Sequence, residues 1–118
     1  FKFDPWFSGY GWEDIELGYR LAKTVGLTIY YEPSAIAYHD HFVTMDDFIN
    51  RMRNIGRSSH ILHKKYPELG KMPSNKKQFI FKILSNSLVA NFLRLFSKNL
   101  YLYALSKKYF MEGLKNRV

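Results

Sequence analysis

Three carboxylates, Glu13, Asp14 and Glu16, follow directly on a run that holds Trp6, Phe7, Gly9, Tyr10, Gly11 and Trp12. Aromatic rings offer apolar faces on which a sugar ring can stack. Glycines let the backbone approach a ligand closely. A hydroxyl has a high pKa, so when its oxygen attacks a carbon centre a neighbouring carboxylate must take the proton as the bond forms. Trp6, Tyr10, Gly11 and Trp12, together with Gly9, are the residue types an acceptor site of that kind needs. The acids also have a plainer reading. Negative side chains favour the first turn of any helix, because the helix dipole is positive there.

A second cluster is His39-Asp40-His41. In an extended segment, positions i and i+2 face the same side, so the two imidazoles could point together at a metal. A metal site needs three or four ligands, and two histidines in a surface turn are equally ordinary. His60 and His63 fall on a helical pattern and read as surface or core residues.

The elements that must position these residues follow from the pattern. Asp4, Pro5, Ser8, Gly9 and Gly11 make residues 1–11 a loop, and its aromatics require it to pack against something. A helix is expected from near Trp12, with Ile15, Gly18, Tyr19, Ala22 and Val25 on its spacing, a Glu16–Arg20 pair and Gly26 as its C-cap. Leu27 to Tyr31 and Ala35 to His39 are expected as short strands around a Glu32-Pro33-Ser34 turn. Such a two-stranded piece cannot close a core alone. Thr44 should cap a second helix that carries Phe48, Met52, Ile55, Ser59 and Leu62 on one face and ends before Pro67. Two further helices are expected, from about Asn75 to Phe96 and from about Asn99 to Leu114. The expected fold class is therefore mainly α with a short two-stranded β element. The division falls into 1–42 and a helical extension at 43–118.

At 118 residues, with 47% hydrophobic and 24% charged side chains, the chain is a globular domain and not a disordered one;. It has no cysteine, which removes disulfides and thiolate chemistry;. It opens Phe1-Lys2-Phe3-Asp4 with no initiator methionine or signal pattern, so it is expected to be part of a longer protein;. The formal charge of +8 is unevenly spread: residues 1–70 hold eight basic and nine acidic side chains, and residues 71–118 hold ten basic side chains against Glu112 alone. A basic region implies an anionic partner.

The stretch from Phe3 to His41 resembles the end of the catalytic domain of family 2 glycosyltransferases of the GT-A fold, and is similar to the C-terminal galactosyltransferase-type region. It runs Phe-Asp-Pro-Trp-Phe-Ser-Gly-Tyr-Gly-Trp-Glu-Asp-Ile-Glu-Leu-Gly-Tyr-Arg-Leu and closes on Tyr-Glu-Pro-Ser-Ala-Ile-Ala-Tyr-His-Asp-His. The resemblance covers about a third of the chain. It implies that residues 1–42 are the C-terminal, acceptor-side part of a GT-A α/β domain. It implies an inverting transfer from a nucleotide-sugar donor to a saccharide or lipid-linked acceptor. It places the catalytic base at Asp14 and an acceptor-holding neighbour at Glu13. His39, with His41 as second choice, falls on a histidine that in metal-dependent relatives helps to hold Mn or Mg together with an earlier Asp-x-Asp. No Asp-x-Asp occurs here, and the donor-binding half is missing. This chain alone is thus expected to bind no metal and to be inactive. No Gln-x-x-Arg-Trp follows His41, which leans towards a non-processive enzyme.

The basic, aromatic region at 75–118 supports an alternative class: a non-catalytic helical module that binds a membrane surface or a partner protein. An amphipathic helix with Lys and Arg on one side and Leu, Phe and Tyr on the other suits anionic lipid headgroups. Nucleic acid is not expected as a partner, since the aromatics follow helical packing spacing rather than a base-stacking platform. Wide apolar faces also lead to an expectation of self-association. The expected location is cytoplasmic, peripheral on the inner face of the membrane if the tail binds lipid.

Overall fold

Acids at one end and a glycine at the other define the first helix. The computed structural model describes residues 1–70 and 72–116, and α1 runs Glu13–Val25. Glu13, Asp14 and Glu16 fill its first turn, and Gly26 closes it in the left-handed region at φ 66°;. Helix α2 runs Met45–Lys65 behind a capping box. Thr44 Oγ1 accepts from the Asp47 N–H at 3.1 Å, and the Asp47 carboxylate accepts from the Thr44 N–H at 3.1 Å;. The helix stops before Pro67, which opens a single 3-10 turn, Pro67–Leu69.

The segment expected as one helix from 75 to 96 is two: α3, Asn75–Leu84, and α4, Ser87–Phe96, meeting at 71°. The break lies at Ser85-Asn86. Ser85 donates its hydroxyl back to the Phe81 carbonyl at 2.5 Å, and the Asn86 side chain accepts from the Leu88 N–H at 2.9 Å, which starts a new helix;. Ser97 likewise accepts from the Asn99 N–H at 3.2 Å and opens α5, Lys98–Lys115.

The two-stranded β element is not formed. Among the described residues there is no strand, and 27–43 is irregular and solvent-facing. Its Pro turn does form, with Ser34 N–H donating to the Glu32 side chain at 2.9 Å and Ala35 N–H to the Glu32 carbonyl at 3.1 Å. The flanking segments fail to pair because they bury nothing. Tyr31 is 90% exposed and Tyr38 97% exposed, so no sheet face is removed from water to offset the cost of ordering two strands;.

The core lies where α2 crosses α5, and α3 and α4 pack on the same α5. The two backbones meet at Gly56 and Gly113. A methyl group on Gly56 would overlap the Phe110 carbonyl oxygen, and one on Gly113 would overlap the Arg53 carbonyl oxygen. Leu62, Ala104, Met111 and Leu114 are buried around this crossing. Arg53 reaches the Glu112 carboxylate at 3.0 Å, and His60 Nε2 donates to the Leu114 carbonyl at 2.5 Å. The radius of gyration is 16.8 Å, against the roughly 13.5 Å usual for a compact chain of this length;. The difference reflects the unburied 27–43 segment and the thin core.

Helix α1 attaches to α2 through side chains. Glu16 is fully buried, and its carboxylate takes Arg20 Nε at 3.0 Å, Arg20 Nη2 at 3.1 Å and the Tyr66 hydroxyl at 3.1 Å. Glu16→Ala leaves Arg20 and Tyr66 without that acceptor. It is expected to destabilise the chain by about 2–4 kcal/mol, read from chemical denaturation, with Glu16→Gln costing less. A loss below about 0.5 kcal/mol for Glu16→Ala would contradict the buried cluster.

A second tie joins α1 to the 3-10 turn. The Glu68 carboxylate accepts from the Tyr19 hydroxyl and from Lys23 Nζ at 3.2 Å. The Tyr19 hydrogen bond, then bonding within Glu68's own backbone and the Lys23 contact, hold its carboxyl down at about 2, below the ordinary 4.5. A depressed acid contributes stability that is complete above its unfolded value and disappears as pH falls through the folded one. The tie is therefore expected to persist at pH 5 and to be lost between about 4.5 and 2. Chemical-shift titration of Glu68 checks it; a midpoint at the ordinary value would remove the tie.

Candidate active site

The turn that carries Gly11 and Trp12 is wound in an unusual way. Gly11 has φ 120° and Trp12 φ 69°, and Trp12 is the one non-glycine with positive φ among the described residues. A bulky side chain in the left-handed region costs on the order of 1–3 kcal/mol and persists only when its surroundings hold it. The holding groups are on α2. The Trp12 indole N–H donates to Ser59 Oγ at 2.9 Å and to the Ile55 carbonyl at 3.1 Å, and Ser59 Oγ in turn donates to the Ile55 carbonyl at 2.8 Å. Gly11 stands so close to Ile55 that any larger residue would collide with it, and Gly9 lies against Asn54.

The N-terminal loop is tied at three more points. Trp6 N–H donates to Asp4 Oδ1 at 3.0 Å, Arg20 Nη2 donates to the Lys2 carbonyl at 2.7 Å, and Lys65 pairs with the Asp4 carboxylate. The Lys65 contact, and after it the Trp6 N–H, hold the Asp4 carboxyl below the ordinary range. Phe7 is buried beneath the loop, and Trp6 faces solvent.

These constraints shape an open groove of about 310 Å³, lined by Tyr10, Gly11, Trp12, Glu13, Asp14, Ile15 and Ile55. Five of the six site residues expected from 1–14 therefore line one surface; Trp6 stands outside it. The two adjacent acids differ in what they do. Glu13 Oε2 accepts from the Gly11 N–H at 2.6 Å, so it braces the loop. Asp14 is exposed, and its Oδ1 accepts from the neighbouring Ile15 N–H at 2.7 Å. A carboxylate in that state can meet a hydroxyl that enters the groove.

His39 and His41 are exposed neighbours with ring centroids 5.6 Å apart. Arg51 Nη2 donates to His41 Nε2 at 2.5 Å, which puts a fixed positive charge where that imidazole would otherwise take a cation. Among the described residues no three or more His, Cys, Asp or Glu side chains gather as a metal site. The described residues do not by themselves fit Mn or Mg.

Arg51 is the residue that sequence reasoning missed. Its guanidinium carbon lies 5.0 Å from the Tyr10 ring while its Nη2 reaches His41, so it joins the aromatic loop to the histidine segment. In sequence it stands four residues after Asp47 as Arg20 does after Glu16, and nothing marks it out as a link to the loop. The sequence marks Ser59 only as a face residue of α2; its role as acceptor for Trp12 depends on the packing of two separate segments.

No protein-family model, no curated protein and no solved structure matches this chain.

Proposed function

We propose that this chain supplies the acceptor side of an inverting GT-A glycosyltransferase. The acceptor is a saccharide or a lipid-linked sugar, and the donor a nucleotide sugar held by a part of the protein other than this chain. The observation that carries the reading is Asp14, exposed on the wall of a groove whose other faces are Tyr10, Gly11, Trp12 and Glu13. The ordered resemblance from Phe3 to His41 points the same way.

In the proposed step an acceptor hydroxyl lies on Tyr10 and Trp12 and faces the Asp14 carboxylate. Its oxygen attacks the anomeric carbon as Asp14 takes the proton. The bond to the nucleotide phosphate breaks, and the electron pair leaves with the nucleotide. Glu13 holds the Gly11 turn so that the rings and the base keep their spacing. His39 would serve a divalent cation only as one ligand among others from outside this chain. Asp14→Asn, assayed in a protein that also carries the donor-binding half, tests the reading; undiminished transfer sinks it.

A non-catalytic helical module is the second reading. The observation in its favour is the unburied apolar and basic surface of α3 and α4.

A further inference from the structure

Helix α4 is apolar on two sides. Val89, Ala90 and Leu93 face inward, and Ala90 is buried. Leu88, Phe92, Leu95 and Phe96 recur at i, i+4, i+7 and i+8, which is a second continuous stripe, and this one faces solvent;. Leu88 and Leu95 are 80% and 81% exposed. Helix α3 repeats the arrangement: Gln78, Phe81 and Leu84 are sheltered, while Phe79, Ile80 and Ile83 share an exposed face.

The charge along this part of the sequence has one sign. Between Glu68 and Glu112 there is no acidic residue, while Lys71, Lys76, Lys77, Lys82, Arg94, Lys98, Lys107 and Lys108 are all basic. Glu112 is itself taken by Arg53 at 3.0 Å. No single described helix is long and apolar enough to cross a membrane, and the α3–α4 pair is bent by 71°. A pair of short helices with apolar outer faces and a basic surround suits a surface that is hydrocarbon below and anionic above.

We infer that the α3–α4 elbow docks on an anionic lipid bilayer. Leu88, Phe92, Leu95 and Phe96 of α4, with Phe79, Ile80 and Ile83 of α3, enter the boundary between headgroups and acyl chains. Lys76, Lys77 and Lys98 meet the lipid phosphates. A nucleic acid satisfies the lysines but leaves the leucines and isoleucines in water, and a second copy of this chain brings a like-charged surface. The inference is independent of the transfer chemistry at Asp14.

Flotation of the 118-residue chain tests it, using vesicles of zwitterionic lipid alone and vesicles with a third of the lipid anionic. The chain is expected to float with the anionic vesicles and to be released by high salt. Leu88→Asp with Leu95→Asp, at positions that touch little protein, should keep the far-UV helix signal and weaken partitioning at least about tenfold. Lys76→Gln with Lys77→Gln should weaken it about twenty-five-fold, roughly fivefold for each charge removed. Folded chain that fails to float at low salt overturns the proposal. So does a Leu88→Asp/Leu95→Asp variant that floats as well as the parent. A dimer that this variant dissolves, with no vesicle binding by the parent, assigns the face to a second copy and overturns it as well. Tighter binding to a duplex oligonucleotide than to vesicles has the same consequence.

Discussion

In a protein that also carries the donor-binding half, the role proposed for Asp14 predicts that Asp14→Asn lowers glycosyl transfer by about a hundredfold to ten-thousandfold, the usual contribution of a positioned general base. The amide has nearly the carboxylate's shape but cannot take the proton, so the loss should fall on kcat, with acceptor KM little changed. Glu13 offers the contrast. Its carboxylate accepts from the Gly11 N–H at 2.6 Å and braces a turn in which Gly11 and Trp12 both have positive φ. Glu13→Ala should therefore loosen the groove and raise acceptor KM more than it lowers kcat. Equal kcat losses at the two positions would remove the distinction between base and brace. A Trp12→Phe variant extends the argument. It keeps an aromatic face and removes the indole N–H that Ser59 and Ile55 hold. The left-handed turn then loses its restraint, and transfer should fall although no reacting group has changed.

Gly113→Ala is expected to destabilise the chain by about 2–4 kcal/mol, with a fall in Tm of roughly 10 °C. In an exposed helix the same substitution stabilises by about 0.5–1 kcal/mol, because alanine loses less backbone freedom than glycine. The sign reverses here because the added methyl would overlap the Arg53 carbonyl. A backbone atom cannot swing aside as a flexible side chain can, so the two helices must separate. Separation weakens the burial of Leu62, Met111 and Leu114 together. Gly56→Ala should behave alike, since its methyl meets the Phe110 carbonyl. Gly18 serves as the internal control. It lies inside α1 with nothing within 4 Å of an added methyl, so Gly18→Ala should raise Tm. Thermal melts of the variants decide the matter. Gly113→Ala melting at or above the parent would mean that α2 and α5 do not cross as described.

How far the fold was legible varies by element, for physical reasons. The ends of α1 and the start of α2 depend on local chemistry: acids at a dipole end, Gly26 free to adopt positive φ, a Thr44–Asp47 box. Such signals are complete within a few residues. The break at Ser85-Asn86 used equally local polar groups, but an apolar pattern continuous from Ile80 to Leu95 masked it. The two strands failed for the opposite reason. Tyr30, Tyr31 and Tyr38 have strand-forming side chains, but pairing needs a buried face, and none of the described residues covers them;.

The run from Tyr10 to Asp14 was legible because aromatic, glycine and acidic residues stand side by side in the chain. Sequence alone determined that these side chains share one neighbourhood, that Thr44 and Gly26 bound their helices, and that charge accumulates after Gly70. Residue type and spacing do not separate Glu13 from Asp14, which are adjacent and chemically alike; only the family resemblance assigned them different parts. Tertiary structure brings Ile55 and Ser59 of α2 against Trp12 and turns Glu13 back onto Gly11. It also decided which apolar faces α5 covers and which remain open on α3 and α4. The first outcome depends on contacts between residues more than forty positions apart and the second on the packing of separate helices, and residue type and local spacing carry no record of either.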